Sequence, residues 1–146
     1  MIVISNGLQA ITTKPQYQYL CKFMSNSFCT HPHNIISSME NMKQYFYFRN
    51  NRPVACVSYR ELGDVHCKRY LHHNVLYNIA TSDTYRRKGI MKRLLHSIIH
   101  DLKAKGKRHI NLEVLKSNVP AVRLYHKLGF RVIASCNNIL LMRIRL

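Results

Sequence analysis

The hydrophobic pattern of the chain changes period at Gly89, and this change constrains the fold more than any other feature of the sequence. Residues 75–81, which precede it, are rich in β-forming side chains. From Ile90 to Leu102 the apolar residues recur at helical spacing along one continuous stripe. Residues 110–114 then alternate as strand residues do. A strand, a long amphipathic helix and a second strand in this order predict an α/β domain.

The remaining segments extend this order on both sides. A strand near Ile2–Ile4 precedes helices that follow Pro15 and Asn34, and Asn118 is placed to cap a last helix. Four further segments have strand-like patterns and form two pairs around turn sequences: Tyr45–Phe48 with Val54–Tyr59, and Phe130–Ser135 with Ile139–Leu146. We predict one three-layer α/β (α+β) domain over residues 1–146. Its sheet is expected to be mixed and mostly antiparallel, with about six to seven strands and helices on both faces.

The charge of the chain is strongly unbalanced. Lysine and arginine number 23 against six acidic residues, so the formal net charge is +17. Such a field favours anionic partners, either nucleotide phosphates, nucleic acid, or a molecule that is itself bound to nucleic acid. It also disfavours polycationic substrates. The alternative is a solvated basic surface that only keeps the protein soluble.

The sequence predicts a soluble, cytoplasmic protein without a membrane segment. No apolar run approaches the roughly 18 residues that a membrane-spanning helix needs. The first residues, Met1–Asn6, have neither the basic leader nor the apolar core of a signal peptide. The five cysteines are irregularly spaced and do not suggest a disulfide framework. Cys29, His31 and His33 are candidate metal ligands without a recognised zinc spacing, so we expect no metal site.

A basic turn precedes the long helix. Arg86, Arg87 and Lys88 lead into Gly89, and the helix begins at the next residue. Free N–H groups at a helix start, together with the helix dipole, form a site for anions. Gly89 lets a phosphate approach the backbone closely. The pattern therefore indicates phosphate binding, with solvated surface cations as the alternative.

A second segment carries a more diagnostic pattern. Between Leu112 and Phe130 the chain reads Leu-x-Val-x-x-x-Asn-x-x-Ala-x-x-Leu-Tyr-x-x-x-Gly-Phe, and the basic turn reads Arg86-x-x-Gly89-x-Met91. In order and separation these two motifs resemble the acetyl-CoA-dependent N-acetyltransferases of the GNAT superfamily. The most similar motifs are those of ribosomal-protein and other protein N-terminal alanine acetyltransferases. The resemblance covers the chain from about Leu76 onward, whereas residues 1–73 match only in the order of elements.

The resemblance implies where acetyl-CoA, as co-substrate, would bind. The strand Val75–Thr81 would diverge from the strand Ile110–Val114, and acetyl-CoA would enter between them. The arm of the co-substrate would pair with one strand like an additional strand, because open edge groups need partners. The residues that the resemblance assigns to binding are Ile79, Ala80 and Thr81 for the arm, Arg86, Arg87, Lys88, Gly89, Ile90 and Met91 for the pyrophosphate, and Asn118 for a further contact with the arm.

The resemblance also implies a reaction and two catalytic residues. Acetyl would pass directly to a primary amine within a ternary complex, with a backbone N–H polarising the thioester carbonyl. Tyr125 would protonate the departing thiolate, and Glu113 would act as base, directly or through water. The alternatives are a Tyr125 that only packs in the core and an exposed Glu113 paired with a lysine or arginine. No cysteine is required as a nucleophile, although Cys56 and Cys136 are not eliminated.

Three positions depart from the family pattern. Met91 stands where Gly or Ala is usual and crowds the pyrophosphate turn. Asp83 replaces a frequent Pro and adds a negative charge, and Arg87 replaces a frequent Gly. We expect the additional cations of the turn to offset the crowding by Met91.

The acceptor is predicted from charge and from amine basicity. An N-terminal amine has a pKa of about 7.7–8.0 against about 10.4 for lysine, so its deprotonation is easier by roughly 3 kcal/mol. With a protein that repels polycations, this favours a peptide or protein N-terminus, on the ribosome or another RNA-containing particle. A small-molecule amine or a lysine is the alternative acceptor. A different class of function is a nucleic-acid-binding module with little or no catalysis, using Tyr45–Phe48 and Arg49–Arg52, although such aromatic residues more often form the core of a hairpin.

Overall fold

Seven strands and four helices form within residues 1–28, 32–67 and 70–146, which are the residues that the computed structural model describes (for 32 and 33 the backbone only). A short 3₁₀ turn, Asp83–Tyr85, adds to them. In chain order the elements are β1 Ile2–Asn6, α1 Lys14–Ser27, α2 Pro32–Met39, β2 Lys43–Arg49, β3 Arg52–Asp64, β4 Leu71–Thr81, α3 Ile90–Ala104, β5 His109–Leu115, α4 Val119–Leu128, β6 Arg131–Cys136 and β7 Ile139–Arg145.

The strands form one sheet in the order β1-β2-β3-β4-β5-β7-β6. The pairs β1–β2, β2–β3, β5–β7 and β6–β7 are antiparallel, and β4 runs parallel to β5. The parallel ladder consists of Val75 opposite Asn111 and Leu76 opposite Leu112. The prediction of a mixed, mostly antiparallel sheet of about six to seven strands is confirmed.

Local sequence signals explain where two of the helices begin. Thr13 caps α1 and forms a capping box with Gln16, and Pro15 occupies the first turn, where its missing N–H costs no hydrogen bond. Asn118 caps α4 by accepting a hydrogen bond from the Ala121 N–H at 3.4 Å. The sequence predicted the start of α1 from Pro15 and that of α4 from Asn118, whereas the cap at Thr13 was not predicted.

The chain divides into two compact units, and the first consists of residues 1–59 and 78–95. Its core is an apolar cluster from α1, α2 and the neighbouring strands: Leu20, Phe23, Met24, Ile35, Ile36, Met39, Phe46, Phe48, Cys56 and Ala80. All four aromatic residues of the Tyr45–Phe48 segment are buried. The interpretation of this hairpin as core therefore agrees with the structure better than its interpretation as a stacking surface.

The second unit consists of residues 60–77 and 96–146. It contains a smaller apolar cluster of Val65, Val75 and Leu141, with Cys67, Tyr77 and Ala134 packed against it. Other fully or nearly buried side chains of this unit are Ile98, Leu102, Ile110, Leu112, Val114, Phe130 and Met142. The single domain expected over residues 1–146 stays a prediction.

Candidate active site

In the first unit, the segment that leads into the basic turn is held in place at Ser82. Where β4 ends, the Ser82 N–H donates to the Val54 carbonyl oxygen at 2.8 Å, and the Ser82 and Tyr19 hydroxyls are 2.8 Å apart. Ser82 is buried. The chain that follows, through Asp83–Tyr85 to Ile90, therefore begins at a fixed point of β4.

The backbone between this turn and α3 offers a row of N–H donors. The first backbone bond of α3 runs from the Arg93 N–H to the Gly89 carbonyl oxygen, at 3.1 Å. In the part of the chain that the structure describes, the N–H groups of residues 87–92 find no backbone acceptor. Gly89 has φ +73°, and no atom lies within 4 Å of the position that a β-carbon would take. Such unpaired donors beside open space fit a phosphate group.

The cations of the turn have different surroundings. The Arg86 guanidinium contacts the Asp83 carboxylate at 3.1 Å and donates to the Thr81 carbonyl oxygen at 3.2 Å. Both side chains of this ion pair are more than half exposed, so the pair itself contributes only about 0–1 kcal/mol. The Lys88 ammonium lies 5.3 Å from the centre of the Tyr85 ring. Asp83, which departs from the family pattern, therefore has a partner within its own turn.

Arg87 adopts a backbone conformation that favours glycine. Its φ is +59°, in the left-handed region, which costs a non-glycine residue about 1–2 kcal/mol. This explains why glycine is frequent at the matching position of the family motif. Arg87 therefore adds a positive charge to the turn but also introduces backbone strain.

We expect Arg87→Gly to raise the free energy of unfolding by about 0.5–1 kcal/mol. Glycine removes the strain but gains freedom in the unfolded chain worth about 0.4–1 kcal/mol, so only part of the strain is recovered. Urea denaturation measures the difference. Arg87→Gln, which removes the charge and keeps the strained backbone, is the matched control. An equal gain in both variants would assign the effect to charge.

The end of β4 is irregular just before the residues assigned to the acetyl-CoA arm. Asn78 has φ +51°, and its side-chain amide donates to the Ser58 hydroxyl at 3.1 Å. Ala80 is buried, whereas Ile79 and Thr81 are half-buried. A left-handed residue inside a strand interrupts its alternation, and such irregularities commonly re-aim the backbone beside functional sites. The sequence analysis missed this feature. The signal in the sequence is that asparagine adopts the left-handed conformation more readily than most other residues.

A cavity of about 380 Å³ adjoins the turn in the first unit. Lys22 and Arg52 contribute cations to its wall, and the Arg52 guanidinium lies 5.4 Å from the centre of the Tyr19 ring. The lining continues through residues 82–85. The sequence analysis did not select Lys22, and it considered Arg52 only within the alternative nucleic-acid-binding surface, because both residues are distant from the motif in the chain.

In the second unit, Glu113 is held in one orientation on β5. Its Oε1 accepts a hydrogen bond from the His66 backbone N–H at 2.6 Å and lies 3.4 Å from His66 Nδ1. The side chain is 16% exposed, and Oε2 is buried without a partner among the described residues. No lysine or arginine in the described residues pairs with it. This differs from the exposed, cation-paired glutamate that was the alternative, and it leaves one carboxylate oxygen able to take a proton.

The Cys67 thiol and the Tyr77 phenol lie close to the charge of this carboxylate. Burial, followed by the nearby Glu113 charge, raises the pKa of the Cys67 thiol. Burial also raises the pKa of Tyr77 to about 12, and the Tyr77 hydroxyl donates to the Asp64 carbonyl oxygen at 2.8 Å. A β-carbon at Gly63 would overlap this phenol oxygen. In the first unit, burial raises the pKa of Cys56 to about 12, so that thiol remains protonated at neutral pH.

Tyr125 lies on α4 with its ring packed and its hydroxyl uncommitted. The ring is 4% exposed, and its centre lies 5.9 Å from that of Phe130. Burial raises the pKa of the Tyr125 hydroxyl. No described residue forms a hydrogen bond with that hydroxyl. Asn118, at the start of the same helix, uses its side-chain oxygen as the cap, so its amide nitrogen is left to donate.

The predicted site residues fall into two groups. Those assigned to the acetyl-CoA arm and pyrophosphate, from Ile79 to Met91, all belong to the first unit. Glu113, Asn118 and Tyr125 belong to the second. His66, Cys67 and Tyr77 were missed, because they meet Glu113 only through the pairing of distant segments.

Two further findings bear on other functions. Within residues 1–28, 32–67 and 70–146, no group of three or more histidine, cysteine or acidic side chains is placed to hold a metal ion. Cys29 and His31, the candidate ligands, lie outside the described residues, and His33 is described only in its backbone. Of the helices in the described chain, none is both long and apolar enough to cross a membrane.

Comparison with known proteins gives a match over most of the chain. The model of the Acetyltransferase (GNAT) family matches residues 13–130. The ribosomal protein bS18-alanine N-acetyltransferase of Escherichia coli (strain K12) is 40% identical over 60 residues, which are 41% of this chain and 40% of that protein. The chain spans about half the length, or less, of the curated relatives it matches.

Solved structures match the whole chain. The crystal structure of the ribosomal-protein-S18-alanine N-acetyltransferase from Escherichia coli has a TM-score of 0.72 at 21% identity, covering 99% of this chain and 94% of that one. A GNAT family acetyltransferase from Elizabethkingia anophelis with acetyl-CoA bound has a TM-score of 0.68 at 18% identity, covering 99% and 98%. At these identities the likeness establishes the fold.

Proposed function

Because this chain belongs to the acetyltransferase (GNAT) family, we propose that it transfers the acetyl group of acetyl-CoA to the N-terminal amine of a peptide or protein. The amine attacks directly within a ternary complex. The observation that carries this proposal is Glu113, a largely buried carboxylate near the Cys67 thiol, with one oriented oxygen and one oxygen for which the hydrogen-bond geometry gives no partner among the described residues.

The residues of the basic turn fit the co-substrate. Acetyl-CoA supplies an activated acetyl thioester and a pyrophosphate that needs hydrogen-bond donors. The N–H groups of residues 87–92 supply those donors, beside the open space at Gly89. Arg87 and Lys88 add positive charge, and Arg86 holds the turn through Asp83 and Thr81.

Glu113 acts as the base in this proposal. An amine must be neutral to attack, and an N-terminal amine with a pKa of about 7.7–8.0 is already partly neutral at physiological pH. A weak base is therefore sufficient. Oε2 of Glu113 takes the proton, while the hydrogen bond from His66 to Oε1 keeps the carboxylate oriented.

Tyr125 acts as the acid. Its raised pKa keeps the hydroxyl protonated at neutral pH, so a proton is available for the departing thiolate. Packing of the ring against Phe130 restricts its position. A hydroxyl that no described side chain engages is free to serve the substrate.

Two observations support a protein N-terminus as acceptor. The relatives named above are alanine N-acetyltransferases of a ribosomal protein. The net charge of +17 favours an acceptor carried by an RNA-containing particle in the cytoplasm over a polycation. A small-molecule amine or a lysine side chain is the alternative acceptor.

The proposal is tested with labelled acetyl-CoA and a mixed peptide library, mapping the label by mass spectrometry. We expect label on α-amines, reduced in Tyr125→Phe and in Glu113→Gln. Label mainly on lysine would replace the proposed acceptor. Acetyl-CoA binding without any peptide label would contradict a peptide acceptor, and absence of binding would contradict the enzyme as a whole.

A further inference from the structure

Three arginines of the second unit converge on one cavity, which none of the residues assigned to acetyl transfer lines. The cavity has a volume of about 550 Å³ and lies where β6 and β7 pair. Arg131 on β6 stands directly opposite Arg143 on β7, and Arg145 follows two residues later on the same face. The lining residues are Gly129, Arg131, Ile133, Arg143, Ile144 and Arg145.

Neutral groups position two of these guanidinium groups without neutralising them. One Arg131 nitrogen donates to the carbonyl oxygens of Phe130 at 2.9 Å and His126 at 3.3 Å. Arg143 Nε donates to the Asn111 side-chain oxygen at 2.8 Å. Their remaining N–H groups have no acceptor among the described residues.

No carboxylate within the described chain relieves the repulsion between these arginines. The ion pairs of the second unit involve other cations, with Glu61 on Lys107, Asp101 on Lys105 and Glu113 on His66. Like charges placed directly opposite each other in a sheet are destabilising. Two oriented, unneutralised guanidinium groups that belong to directly opposite residues and line one cavity are therefore a site that an anion would complete.

We propose that this arginine cluster, Arg131, Arg143 and Arg145, binds the phosphate backbone of RNA. The planar fork of an arginine fits a phosphate through two parallel hydrogen bonds. Ile133, which also lines the cavity, is 41% exposed and offers an apolar surface to a ribose or base. The net charge of +17 draws a polyanion more strongly than it draws a small anion.

Fluorescence anisotropy with labelled oligouridine tests the proposal, without acetyl-CoA, so the result is independent of the proposed enzyme activity. The test variant carries Arg131→Gln, Arg143→Gln and Arg145→Gln. The matched control loses the same charge elsewhere in the second unit, through Lys103→Gln, Arg123→Gln and Lys127→Gln. Thermal unfolding of each variant confirms that it is folded.

We expect the test variant to bind oligouridine about a hundredfold more weakly, because it loses several charge-assisted hydrogen bonds to neighbouring phosphates. The slope of log K against log salt should fall in magnitude by about two, at about 0.7 per contact on a single strand. The control should lose about threefold or less, as expected when charge alone is removed outside the cavity lining.

Other results would overturn the proposal. Equal losses in the two triple variants would mean that overall charge and not this cluster binds RNA. Polyglutamate that competes as well as oligouridine, through the same arginines, would assign the cluster to an acidic protein. If the triple variant does not fold, Arg145→Gln alone is expected to weaken binding about tenfold, since it removes one charged contact. Unchanged binding in that variant would contradict the assignment.

Discussion

Tyr125→Phe is expected to lower the turnover number, kcat, of acetyl transfer by about 10²–10⁴-fold, which is the usual contribution of a positioned proton donor. The substitution removes only the hydroxyl, which forms no hydrogen bond with any described residue. The ring keeps its buried position and its contact with Phe130. Stability and acetyl-CoA affinity should therefore change little, while the chemical step slows.

Single-turnover measurements separate this effect from product release. Tyr45→Phe is a matched control, since Tyr45 is also buried and lies on β2, outside the two motif segments of the sequence. The pH dependence adds an independent readout. Burial raises the pKa of Tyr125, so the wild-type rate should not fall through loss of this proton anywhere below the ordinary phenol pKa of about 10. A Tyr125→Phe variant with wild-type kcat would identify the residue as a packing element only.

Glu113→Gln is expected to lower kcat/KM by about 10²-fold or more at neutral pH. Glutamine keeps a side-chain oxygen that can accept the hydrogen bond from the His66 N–H, so the turn at His66 stays joined to β5. What is lost is the ability to take a proton at the oxygen that has no partner in the described chain. The substitution therefore tests basicity separately from structure.

The deficit of this variant should depend on pH in a defined direction. Without a base, neutral amine arises only by deprotonation in solvent, so the deficit should shrink as pH rises above the amine pKa of about 8. Glu61→Gln, the same chemical change at an exposed carboxylate that pairs with Lys107, is the control. A deficit that stays constant between neutral and alkaline pH would assign Glu113 a positioning role.

Features that depend on neighbouring residues could be predicted from the sequence. The helix starts marked by Pro15 and Asn118 and the basic turn before Gly89 are local signals, and each occurs where the pattern placed it. The match over residues 13–130 confirms the family prediction. That prediction was possible from the sequence because the residues of each motif lie close together in the chain.

Features that depend on distant pairing could not be predicted. The hydrogen bond between His66 and Glu113 joins residues 47 positions apart. The facing of Arg131 and Arg143 depends on the register of β6 and β7, which shifts between Val132 and Ala134. The alternation of apolar and polar residues along each strand does not reveal such a register shift. A slip of one residue nevertheless moves every following side chain to the other face of the sheet.

The close approach of Gly63 to Tyr77 has an evolutionary consequence. A side chain at position 63 would occupy the space of a phenol that is anchored on the Asp64 carbonyl, so the Tyr77 ring would have to move and give up that hydrogen bond. A lineage that gains a side chain at position 63 therefore also changes the position or the identity of the ring at position 77. Because Tyr77 lies near Glu113, a substitution of Gly63 on β3 also alters the surroundings of the proposed base.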